Sequence, residues 1–226
     1  MIPKQNHING KEFFDKKYYP VLSAIDEQDT ARLNLLLNGS NINTIGNKNL
    51  TFIVYSFLMD KKKSFAWLME HGADVNIPFE KDENKFTYMI NIATKAENSY
   101  YFMLLLKAAD LNVQDERGYP PTHNAIFISN MERLYLLLNN GANINITDKD
   151  QETPLFFLCL LTNYKDAYHL LMKGADPKIP DNRGNSIAYL IQLNILPTNS
   201  EAYLWQQKIK TELINQGIVF PVKKPN

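Results

Sequence analysis

Apolar residues return at helical spacing in several segments of the chain. Phe65, Leu68 and Met69 form one such set, and Leu134, Leu137 and Leu138 form another. Spacings of three and four place each set on one face of a helix and leave the polar residues on the other. These helical segments run into a recurring phrase. Gly-Ala-Asp-Val-Asn occupies Gly72 to Asn76, and Gly141 to Asn145 repeats it. Degenerate copies begin at Gly39, Ala108 and Gly174. Subtracting the positions 39, 72, 108, 141 and 174 gives intervals of 33, 36, 33 and 33 residues. A fixed period of this size marks a solenoid, in which each unit buries its apolar face only against its neighbours. Function is then expected on a surface built from equivalent positions, ahead of any catalytic pocket.

A second element keeps the same phase. Thr153-Pro154-Leu155 precedes Gly174 by 21 residues, and Pro120-Pro121-Thr122-His123 stands at the same offset from Gly141. Thr51 and Thr87 precede Gly72 and Ala108 by 21 as well. Asp115, Asp148 and Asp181 lie five residues before Pro120, Thr153 and Ser186. The combined pattern resembles the ankyrin repeat, whose unit is a β-turn followed by two antiparallel helices. The resemblance implies an all-α solenoid of about six helix-turn-helix units with β-hairpin fingers and a longer C-terminal capping helix. It spans a single domain at 12–220, with units near 12–45, 46–81, 82–114, 115–147, 148–180 and 181–220, between tails at 1–11 and 221–226.

Each part of the repeat has a mechanical reason. Thr caps free N–H groups at the start of the inner helix, and Pro fits the first turn because its missing N–H costs nothing there. The phrase glycines supply a left-handed residue that ends the outer helix. Ala108 replaces that glycine and is expected to strain the third unit by ~1 kcal/mol. Asp-x-x-Gly at Asp115 to Gly118 and Asp181 to Gly184 makes the hairpin tip.

Departures from the period are informative. The first unit has Tyr18-Tyr19-Pro20 where Thr-Pro-Leu belongs and reads as an N-terminal cap. From Ser186 to Gly217 is 31 residues instead of 21, so ten are inserted. They include Pro197 to Glu201, a helix break followed by a fresh N-cap. The helix from Glu201 to Ile214 is expected to carry Leu204, Ile209 and Leu213 inward and Lys208 and Lys210 outward. An array end needs such a cap because it would otherwise expose a bare core face. Gly72 to Thr87 is 15 residues where Gly141 to Thr153 is 12, so three extra residues lie in the hairpin at 77–85. Either a lengthened finger carrying Phe79 projects towards a partner, or the insertion is a tolerated loop.

Composition narrows the function classes. The chain is 45% hydrophobic, enough for a folded core. Lys plus Arg is 24 and Asp plus Glu is 24, so no basic surplus points to nucleic acid. The cluster Lys61-Lys62-Lys63 reads as a solvated helix start. Cys159 is the one cysteine, which excludes an internal disulfide, and it reads as a small buried hydrophobe. No apolar run is long enough to span a membrane. The visible N-terminus lacks an apolar signal core. The protein is therefore expected in the cytoplasm or, if an export segment was removed, in the periplasm or cell envelope, with a lipid anchor open in that case.

Candidate chemistry is sparse. His123 occupies the motif histidine, whose ring bonds neighbouring turns, and His71 and His169 fall in different repeats with no partner at metal-ligand spacing. No phosphate loop, nucleophile elbow or carboxylate pair is present. Catalytic, cofactor and metal residues are accordingly expected to be none. The resemblance implies that partners meet the concave face, formed by hairpin tips and the ends of inner helices. Carried over position by position, it assigns partner contact to Leu58, Met59, Phe127, Ile128, Leu160 and Leu161 at helix ends. At the tips it assigns Leu50, Phe79, Phe86, Arg117, Tyr119, Lys149, Asp150, Glu152 and Arg183. An aromatic and aliphatic centre with a charged rim is the composition of a protein-binding hot spot. The alternative is local repacking that buries these side chains. Tyr203-Leu204-Trp205, Ile214 to Pro221 and Lys11 to Phe14 are also similar to bacterial ankyrin proteins that serve as immunity proteins beside type VI secretion effectors, including phospholipases. That similarity implies a cognate secreted toxin as the protein partner. The alternative partner is an unrelated protein, bound by a scaffold or host-directed effector.

Overall fold

The computed structural model of the chain describes residues 9–224, so positions 1–8 and 225–226 of the expected tails lie outside the described residues. The chain forms two compact units, one ending at Glu116 and one beginning at Arg117. The first contains α1 (Tyr19–Glu27), α2 (Thr30–Leu37), α3 (Phe52–Leu58), α4 (Lys62–Glu70), a hairpin of β1 (Phe79–Asp82) and β2 (Lys85–Thr87), α5 (Met89–Lys95) and α6 (Tyr100–Leu105). Consecutive helices pair as α1–α2, α3–α4 and α5–α6, while α3 stacks on α1 and α4 on α2. The second unit contains α7 (Pro121–Phe127), α8 (Met131–Asn139), α9 (Pro154–Leu160), α10 (Tyr164–Met172), α11 (Ile187–Leu193) and α12 (Glu201–Asn215). There α7, α9 and α11 stack as an inner row, and α12 packs on α10 in an outer row.

The two rows bury differently. An inner helix meets neighbours on several sides, so α3 is buried from Phe52 to Phe57 and α9 from Pro154 to Cys159. An outer helix buries a single stripe, such as Phe65 and Leu68 on α4 or Leu134 and Leu137 on α8. That stripe is the period seen in the sequence. Burial pushes the Cys159 thiol up to about 12, so it packs as a neutral hydrophobe.

Helix ends follow the repeat chemistry. Thr51, Thr153 and Ser186 accept the backbone N–H of Val54, Phe156 and Tyr189. Thr87 departs from this scheme: it closes β2, and Tyr88 takes the N-cap without a side-chain bond. Gly72, Gly141 and Gly174 adopt positive φ after their outer helices. Ala108 does not. Its helix α6 stops early at Leu105, and the N–H groups of Ala108 and Ala109 both turn back to the Leu105 carbonyl. The expected strain at Ala108 is therefore absent, because a shorter helix removes the need for a left-handed residue. The phrase also ties repeats together. The side-chain oxygen of Asn43 accepts Asp74 N–H at 2.7 Å, Asn76 accepts Asp110 N–H at 2.7 Å, and Asn145 accepts Asp176 N–H at 2.8 Å.

The C-terminal helix α12 buries Gln206, Ile209 and Leu213. Leu204, expected to point inward, is 58% exposed. Gln206 takes an inward place instead, and its amide donates to the Ile191 and Asn194 carbonyls at 3.3 and 2.8 Å. The inserted segment leaves those helix-end carbonyls without a following turn, and a polar side chain meets them better than leucine could. Among the described residues no helix is long and apolar enough to cross a membrane.

Candidate protein-binding face

The second unit brings together the C-terminal ends of its three inner helices. Phe127 ends α7, Leu160 ends α9 and Leu193 ends α11, with Ile128 and Leu161 as the C-cap residues of the first two. All five are exposed, from 38% at Ile128 to 57% at Leu193. Burial in the inner row stops one residue earlier, at Ile126 and Cys159. The helix ends thus project beyond the neighbours that cover the rest of each helix.

An aromatic and guanidinium cluster borders these ends. The Arg117 guanidinium carbon lies 5.3 Å from the Tyr119 ring centroid and 5.4 Å from that of Phe127. Tyr119 in turn lies 6.0 Å from Phe157 and 6.4 Å from Phe127. Rings and guanidinium held this way lose little freedom on meeting a partner.

The hairpin tips are joined edge to edge. Lys149 N–H donates to the Gly118 carbonyl and Asn182 N–H to the Asp150 carbonyl. Gly118 has φ of +80°, and a Cβ there would fall 2.7 Å from the Lys149 Cβ, so the approach of the two tips requires glycine. Lys149 pairs with Asp150 at 2.6 Å, and Arg183 with Asp181 at 2.9 Å, giving the tips exposed ions of both signs.

Beneath the tips lies His123, fully buried. Its Nε2–H donates to the Glu152 carbonyl at 2.8 Å, and its Nδ1 lies 3.3 Å from the Thr122 hydroxyl. A carbonyl can only accept, which fixes the proton on Nε2. Burial holds the ring neutral, lowering its pKa to about 4. His123 is thus a structural strut, and its two ring nitrogens are committed to protein partners.

Several expected contact residues are not on the surface. Leu50 is 4% exposed and Phe79 is 1% exposed. In the lengthened finger Phe79 pairs with Thr87 and Glu80 with Phe86. Cross-strand partners share a face, so Phe79 and buried Thr87 turn inward while Phe86, 43% exposed, turns outward. The projecting aromatic of the finger is Phe86, and Phe79 anchors its base. Glu152, expected in the charged rim, is also buried, because its backbone N–H is drawn in to Asp148. Leu58 and Met59, in the first unit, are half-buried. The buried acidic group of Asp148, Glu152 and Asp181 was not anticipated from the sequence. The signal was available, since Glu152 and Asn185 stand at the same four-residue offset from their aspartates.

Residues 89–181 match the family described as Ankyrin repeats (3 copies). No curated protein sequence matches. Among solved structures, the ankyrin repeat protein EF0377 is similar at 20% identity and a TM-score of 0.61, over 88% of this chain and 99% of that one. The ankyrin repeat domain of Bcl-3, a member of the IkappaB family, matches at 18% identity and a TM-score of 0.64, over 91% of this chain and 89% of that one. An ankyrin repeat domain from Acinetobacter baumannii AYE matches at 21% identity and a TM-score of 0.63, over 88% and 98%.

Proposed function

We propose, from the ankyrin repeats matched at residues 89–181 and the ankyrin fold of the chain, that it binds a protein partner through the inner-helix ends and hairpin tips of its second unit. The observation that carries this reading is the exposure of Phe127, Ile128, Leu160, Leu161 and Leu193 on three stacked helices. Contiguous exposed apolar surface rimmed by charge is uncommon without a use. The Arg117, Tyr119 and Phe127 cluster supplies the residue types that dominate interface energetics. Lys149, Asp150 and Arg183 supply the rim, where charge sets orientation more than affinity.

The test is retention from a lysate of the source organism, with the bound protein identified by mass spectrometry. Phe127→Glu combined with Leu160→Glu should lose the partner while circular dichroism and melting temperature stay as in the parent, since both side chains are exposed. Equal retention by the double variant would remove this face from the interface.

A finer proposal is that the partner is a secreted antibacterial toxin and this chain is its immunity protein. What motivates it is the resemblance of Lys11 to Phe14, Tyr203 to Trp205 and Ile214 to Pro221 to bacterial ankyrin proteins, some of which are similar to type VI immunity proteins. In that role the chain would lie in the periplasm or cell envelope when an export segment precedes it, and otherwise in the cytoplasm. Co-expression with a toxin encoded beside the gene should restore growth, and restoration should fail for the double variant. Binding without protection would favour the alternative, a scaffold or host-directed effector.

A further inference from the structure

The hairpin aspartates Asp115, Asp148 and Asp181 occupy equivalent places, yet their second carboxylate oxygens fare differently. Lys95 Nζ donates to Asp115 Oδ2 at 2.8 Å. Asn185 Nδ2 donates to Asp181 Oδ2 at 2.9 Å, joined by the Arg183 guanidinium at 2.9 Å. Asp148 Oδ1 accepts the N–H groups of Asp150 and Glu152, both at 2.9 Å. Its Oδ2 is buried, and no donor among the described residues reaches it. The residue four positions on, where Asn185 supplies the donor one repeat later, is Glu152. An ionised glutamate has no hydrogen to donate.

We propose that Asp148 and Glu152 share one proton in the folded protein, the Glu152 carboxyl O–H donating to Asp148 Oδ2 as the Asn185 amide does to Asp181, so that the hairpin at 148–152 is fastened by a proton and loosened by its loss to solvent. The surroundings favour the neutral acid. The Glu152 side chain is 9% exposed, and its ion pair with Arg183 is 3.9 Å long. Arg183 itself is 67% exposed and engaged by Asp181 at 2.9 Å. Facing Glu152 are Asp148 and Asp150 from its own hairpin, and Asp181 and Arg183 from the next. Burial first, and then the three aspartates, push Glu152 up to about 7, against the weaker pull of Arg183. Lys149 is spent on Asp150. His123 touches the same hairpin, but through the Glu152 backbone, and it is neutral in the folded state. Asp181 shows the contrast: burial would raise it, yet the donors from Asn185 and Arg183 hold it below its usual range. The inference does not depend on what the exposed face binds.

The sign follows from linkage. A carboxyl whose folded pKa is raised stabilises the folded state while it is protonated, and that contribution is lost as pH rises from the unfolded value through about 7. Chemical denaturation of the full chain from about pH 5 to about pH 8, compared with Glu152→Gln, tests it. The glutamine amide donates at every pH. The unfolding constant of the parent should therefore rise relative to the variant by up to about tenfold per pH unit across the lower part of that range and level off above pH ~7. Titration of His123 in the unfolded state is common to both proteins and cancels in the comparison. Parallel pH profiles would overturn the proposal. Carboxyl-carbon NMR of Glu152 in the unaltered protein is a second reading that needs no variant. A midpoint near neutrality is expected, and one in the ordinary glutamate range of about 4.3 overturns the shared proton even if the variant fails to fold.

Discussion

Gly141 and Ala108 show how far one position of a repeat can be trusted. Both stand at the first place of the phrase, and only Gly141 has positive φ, at +99°. Gly141→Ala should therefore cost about 1 kcal/mol through backbone strain alone, since no atom lies within 4 Å of the added Cβ. Ala108→Gly, which restores the consensus, should give no stabilisation and lose up to about 1 kcal/mol through the greater freedom of the unfolded chain. Equilibrium denaturation of the two variants decides between them, and a more stable Ala108→Gly protein would contradict the helix-shortening account. Candidate contact residues divide in a similar way. Phe127 and Leu160 were legible because a helix end is set by local spacing. Leu50, Phe79 and Glu152 were not, because their burial depends on which face of a hairpin turns inward and on what an adjacent repeat places there.

At the scale of elements, the inserted segment before α12 changes what an outer helix must satisfy. Gln206 holds the Ile191 and Asn194 carbonyls, and a sequence reading that seeks apolar residues at helical spacing passes over it in favour of Leu204. Gln206→Leu should destabilise the protein by about 1–3 kcal/mol, the range for leaving buried acceptors unpaired. Hydrogen exchange should accelerate first across 194–200, next to the freed carbonyls. Uniform acceleration throughout the second unit would instead mean that Gln206 acts through packing. The finger whose extra residues fall at 77–85 gives a parallel case. Its extra length was countable from the interval of 36 residues, but its pairing register placed Phe86 outward and Phe79 inward.

For the molecule as a whole, 24 basic and 24 acidic residues leave no net charge to steer a partner from a distance. Association through the proposed face should thus depend weakly on ionic strength, with a rate that changes by less than about threefold between low and physiological salt. Stopped-flow measurement with the captured partner checks this, and a steep salt dependence would point to a charged surface elsewhere as the main contact. The sequence by itself determined the period, the repeat fold, most of the cap and turn residues, and the helix ends at which apolar side chains accumulate. All of these follow from contacts between residues close in the chain, where spacing dictates geometry. Only the tertiary structure decided that Ala108 escapes strain, that Phe86 and not Phe79 projects, that Gln206 replaces Leu204 in the core, and that Asp148 is left without the donor its counterparts have. Each of those depends on how a helix ends, which way a hairpin pairs, or what the next repeat brings to within a few ångströms. Repeat spacing alone specifies none of these.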